Sequence, residues 1–63
     1  MIAIFNKKNI FGKDTLYPGN EAAETICSIL KFKTMPYHYI HDFTKLGIEI
    51  HIEGDKPEIF KAV

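Results

Sequence analysis

Gly47-Ile48-Glu49-Ile50-His51-Ile52-Glu53-Gly54 alternates three isoleucines with three polar residues and has a glycine at each end. A period of two sends successive side chains to opposite faces, so the stretch predicts a strand with one apolar and one wet face. β-branched isoleucine suits a pleated surface, and the flanking glycines supply turns. The isoleucine face then belongs to a core, and Glu49, His51 and Glu53 to the exterior.

Other elements are placed around this strand. Met1-Ile2-Ala3-Ile4-Phe5 is a continuous apolar run, which predicts a strand covered on both faces and central in its sheet. Between Asn6 and Asn20 no firm element is read. Asn6-Lys7-Lys8-Asn9 has turn composition, and Gly12-Lys13-Asp14 cuts short any strand begun at Ile10-Phe11. In Tyr17-Pro18-Gly19-Asn20, Pro18 fixes φ and Gly19 permits positive φ. Fifteen residues is long for a connection in a small domain, and such loops commonly carry function.

Asn20 is a natural helix N-cap, and Glu21 and Glu24 in the first turn match the helix dipole. Ala22, Ala23, Ile26, Cys27, Ile29 and Leu30 fall at three- and four-residue spacings, predicting an apolar face on a helix from about Glu21 to Phe32. Pro36 stops that helix. Tyr37-His38-Tyr39-Ile40-His41 is aromatic and predicts a strand paired with 48–53 in a hairpin. Asp55 and Pro57 open a short terminal helix carrying Ile59, Phe60 and Val63. The expected fold is a small α+β domain over 1–63, ordered β-loop-α-β-β-(α). One main helix packs on a three- or four-stranded sheet that contains a C-terminal hairpin.

Register decides what the hairpin exposes, because a slip of one residue inverts a strand. With Asp42 opposite Gly47, Tyr37 and Tyr39 join the isoleucine face and His38 stands across from His51. With His41 opposite Gly47, the tyrosines and His41 face outward beside His51 and Glu49. Burying two tyrosines removes more apolar area than burying His38 and Ile40, which favours the first register.

Size and composition bound the function. A chain of 63 residues buries only about 60% of its unfolded surface, so a partner chain is a natural supplement and a homodimer is one expectation. Cys27 is the one cysteine, so no disulfide forms within the chain. Eight lysines balance eight acidic residues, and there is no arginine. Zero net charge lacks the field that gathers nucleic acid, and missing arginine removes the usual bidentate phosphate contact. Ten isoleucines with eight lysines fit an AT-rich bacterial or phage genome. No run approaches the roughly 18 apolar residues of a membrane span, so a cytoplasmic protein is expected.

Candidate chemistry is thin. His38, His51 and a glutamate resemble a two-His-one-carboxylate set, but their spacing matches no known zinc motif, and no metal or cofactor is assigned. Cys27 lies mid-helix on the apolar face, where a thiol is a small hydrophobe rather than a nucleophile. No catalytic set is found. The leading expectation is a non-enzymatic protein-binding module, a regulator or inhibitor. Its contacts would be Phe11, Lys13 and Tyr17 in the loop and His38 and His51 on the hairpin exterior. The alternative is a single-stranded nucleic-acid binder using the lysines and aromatics of 6–20.

Overall fold

A computed structural model describes residues 1–62. Its elements are β1 (Ile2–Ile10), β2 (Lys13–Pro18), α1 (Glu21–Leu30), a 3-10 turn (Tyr37–Tyr39) running into α2 (Ile40–Lys45), β3 (Glu49–Glu53) and β4 (Glu58–Phe60). The four strands form one mixed sheet in the order β2-β1-β3-β4. β1 pairs antiparallel with β2 and parallel with β3, and β3 pairs antiparallel with β4. The α+β expectation therefore holds, with β1 central and the isoleucine strand beside it, but β1 is covered on one face only, Ala3 and Phe5 being buried while Ile2 is exposed.

One face of the sheet carries Ala3 and Phe5 beside Leu16, Ile50 and Ile52, all fully buried. α1 covers it with Ala23, Ile26 and Cys27, while α2 adds Ile40 and Met35 closes the β2 side. The opposite face bears Ile4, Asn6, Tyr17, Glu49, His51 and Ile59, and neither helix covers it. A helix layer on one side only leaves this second face and the sheet edges for other uses.

Four local expectations are corrected. Residues 6–20 are no loop. β1 and β2 form a hairpin joined by Phe11-Gly12, whose φ values of 52° and 79° define a type I′ turn matched to the twist of its strands. The hairpin expected between 36–41 and 48–53 does not form, because Tyr37–Lys45 is helical. Ile40, Phe43 and Thr44 meet at helical spacing, and Ile40 and Thr44 are buried. Neither register of that hairpin exists, so His38 never stands across from His51. The C-terminal hairpin is instead β3–β4, so the segment expected as a helix is a strand through Phe60; Val63 lies outside the described residues.

Gly19 corrects the fourth. It does not use positive φ. Its N–H donates to the Ile4 carbonyl at 2.7 Å, and a Cβ there would stand 3.1 Å from that oxygen. Glycine is needed for close approach, and that approach places the Asn20 side chain against β1. Asn20 Oδ1 accepts from Ala23 N–H at 2.9 Å as the expected N-cap, and from Ile4 N–H at 3.1 Å. Its Nδ2 donates to the Ile2 carbonyl at 2.9 Å. α1 is thus fastened to the edge of the first strand by one side chain.

Candidate functional site

The hairpin projects. β1 pairs with β3 only as far as Asn6↔Glu53, so Lys7–Ile10 and their β2 partners extend past the rest of the sheet. Beyond Phe5 the strand has no apolar alternation, and backbone pairing carries it onward. Asn9 reinforces the tip: its Oδ1 accepts from Gly12 N–H at 3.1 Å and its Nδ2 donates to Asp14 Oδ1 at 3.2 Å. At the end stands Phe11, 104% exposed with a left-handed backbone. Bulky residues rarely adopt that conformation, and here the ring recovers no packing.

The five residues singled out from sequence fall in four places. Lys13 and His38 come together, lining a cleft of about 510 Å³ with Asp14, Thr15, Met35 and Tyr37. The cleft runs along the outer edge of β2, where Met35 N–H donates to the Leu16 carbonyl at 2.9 Å. Burial pushes the Tyr37 phenol up, against the opposing influence of Lys7, with Asp14 and Glu58 adding to the rise. His38 stacks on its neighbour Tyr39 with ring centroids 4.3 Å apart. Phe11 stands alone at the tip. Tyr17 lies on the uncovered sheet face with the Lys8 ammonium 5.2 Å from its ring centroid, a cation–π distance. His51 lies on that same face two strands away.

His51 Nε2 donates to Glu49 Oε2, its neighbour at two-residue spacing on β3. That hydrogen bond holds the Glu49 carboxyl below its ordinary value, helped by the charge of Lys61 and opposed by partial burial. A carboxylate depressed in the folded state stabilises the fold above its unfolded pKa and loses that contribution as pH falls. Glu49→Gln is therefore expected to be less stable than wild type near neutrality and to approach it below pH 4.5, the ordinary carboxyl value. Urea unfolding of both proteins across the acid range reads this directly. A constant difference at every pH would show that the hydrogen bond to the Glu49 carboxylate does not cause it.

Burial pushes the Cys27 thiol up, as suits a core residue rather than a nucleophile. Among the described residues no three His, Cys, Asp or Glu side chains gather as metal ligands. Among the described residues no helix is long and apolar enough to cross a membrane.

A second feature escaped the sequence reading. Between α1 and α2 lies an apolar groove of about 520 Å³, lined by Met1, Ala22, Thr25, Ile26, Ile29, Phe43, Leu46 and Ile48, with Glu21 at its margin. Ile29, expected on the core face of α1, is 69% exposed, and Leu46 is 74% exposed. The apolar arc of α1 is wider than the sheet beneath it. Ala23 and Cys27 face the strands, whereas Ala22 and Ile29 edge the groove and Ile26 serves both. That excess width was the available signal.

The chain matches no protein-family model, and the searches of curated proteins and of solved structures likewise return no match.

Proposed function

We propose that this chain is a small non-enzymatic protein-binding module, a regulator or inhibitor acting in the cytoplasm of a bacterium or phage-infected cell, and that the β1–β2 hairpin is its contact element. Phe11 carries the reading. A type I′ turn favours Asn-Gly, and a bulky residue with φ of 52° costs on the order of 1–3 kcal/mol while its ring lies entirely in water. The fold gains nothing from phenylalanine there; an anchor seated in a partner's pocket would. Lys13 flanks it, and the cleft shared with His38 lies beside it along β2, whose edge Met35 already pairs at Leu16.

The nucleic-acid alternative draws on the same hairpin. Lys7 and Lys8 point to opposite faces of β1, and Lys8 already occupies one face of the Tyr17 ring. These positions give a stacked single strand a poor platform, so the protein-binding reading has the better support.

Phe11→Asn tests both, because it improves the turn and should leave the fold at least as stable in urea. Immobilised wild type is expected to retain a protein from a lysate of its source, and Phe11→Asn to bind it roughly 30-fold or more weakly, as for loss of an aromatic hot spot. Equal retention removes Phe11 as the anchor. No retained protein, with oligonucleotide binding at low salt that falls steeply as salt rises, transfers the function to the alternative.

A further inference from the structure

We infer that the chain pairs with a second copy of itself, the hairpin tip of each copy seated in the α1–α2 groove of the other. The inference rests on the reading of the tip as a contact element and names its partner. One molecule carries both halves of the contact. Phe11 is a fully exposed phenyl ring, and the groove of about 520 Å³ has apolar walls with room for it.

Charge complements shape. Residues 7–14 around the tip hold Lys7, Lys8 and Lys13 against a single Asp14, whereas Glu21 carries the one charged side chain lining the groove, which Met1 also lines with its α-amino group. A neutral chain is thus basic where it projects and offers a carboxylate where it could receive. Groove-against-groove pairing would instead enclose Glu21 of both copies in one apolar seam, at a desolvation cost, and would bring no lysine to them.

The geometry permits closure. β1 runs from the groove, where Met1 lies, to the tip, a span of roughly 30 Å at about 3.3 Å per residue. The longest dimension of the molecule is 32 Å. Two copies side by side and antiparallel bring each tip beside the other's groove, so a two-fold pair satisfies both contacts and ends growth. The area is sufficient for a weak dimer. At roughly 150–200 Å² per fully exposed large side chain, Phe11, Met1, Ile29 and Leu46 at their exposures supply about 500–650 Å² per copy. The total of about 1,000–1,300 Å² sits at the lower limit for a specific interface, the size of a weak or transient pair.

Sedimentation equilibrium over micromolar concentrations tests this, with circular dichroism confirming that each variant folds. Wild type is expected as a monomer–dimer equilibrium. Phe11→Asn and Leu46→Glu, both at exposed positions, should each weaken it at least tenfold. Lys13→Glu should weaken it, and Lys13→Glu combined with Glu21→Lys should restore it. A wild type that is monomeric throughout overturns the inference, as do variants that dimerise unchanged or species that grow without limit. If wild type is monomeric yet Phe11→Asn loses a different protein, the proposed function stands and this pairing falls.

Discussion

Phe5→Ala is expected to lower the free energy of unfolding by about 3–5 kcal/mol, the usual cost of emptying a buried phenylalanine site. A chain this size holds on the order of 3–9 kcal/mol in total, so most of its stability rests on that ring. Phe5 is fully buried in the central strand, with Pro18 beside it on β2 and Ile52 beside it on β3. Helix α1 lies over β1 and β2, and α2 lies over β3, so the site is held from several elements that cannot all move inward to refill it. The parallel β1–β3 pair also depends on the ring, because the two strands are joined only through the helices between them. Urea unfolding followed by circular dichroism measures the loss, and Phe5→Leu should retain most of the stability by keeping much of the volume. A Phe5→Ala variant within 1 kcal/mol of wild type would mean that the β1 core is not where the fold is held.

Sequence reading succeeded where side-chain pattern and burial coincide. Ile50 and Ile52 are buried and Ile48 half-buried, as their alternation required, and Met1–Phe5 leads into the central strand, although only its Ala3–Phe5 face is covered and Ile2 is exposed on the other. It failed where backbone geometry replaced pattern. Lys7-Lys8-Asn9 carries no apolar alternation, yet it is strand because β2 pairs with it residue for residue. The two-residue turn was hidden because Phe11 stands where Asn would have announced it.

The helix before Gly47 was missed for a different reason. Gly47 was read as a turn glycine ahead of the 48–53 strand, and its turn is the one that ends α2. With φ of 90° it lets Gly47 N–H donate to the Thr44 carbonyl and Ile48 N–H to the Phe43 carbonyl, both at 3.1 Å, the pattern of a Schellman cap. Phe43 and Ile48, the apolar pair that accompanies such a cap, both line the groove. Reading Ile40, Phe43 and Thr44 with a closing Gly47 would have given the helix that aromatic β propensity concealed. Of the candidate contacts, Phe11 and Lys13 were legible as exposed residues in an unusual segment. The groove was not, because Leu46 and Met1 meet α1 only through the tertiary fold.

Asn20→Ala is expected to cost about 2–3 kcal/mol, at roughly 1 kcal/mol for each hydrogen bond removed. An ordinary N-cap accounts for one of them, Ala23 N–H. The other two reach across the chain: without the amide, Ile4 N–H loses its bond at a partly buried position and the Ile2 carbonyl loses one at an exposed position. Asn20→Asp separates the contributions. It keeps an acceptor for both N–H groups and adds charge favourable to the helix dipole. It loses the donor, however, and sets a carboxylate against the Ile2 carbonyl, so its stability should fall between those of wild type and Asn20→Ala. Hydrogen exchange locates the effect: the Ile4 amide should lose protection in Asn20→Ala and keep it in Asn20→Asp. Equal loss in both variants would mean that the strand contact matters less than the donor to Ile2. The same side chain joins the two walls of the groove, since Ile2 follows Met1 on one side and Glu21 and Ala22 follow Asn20 on the other. Asn20→Ala should therefore loosen the groove as well as the fold, and Asn20→Asp should preserve the groove better than its stability alone would suggest.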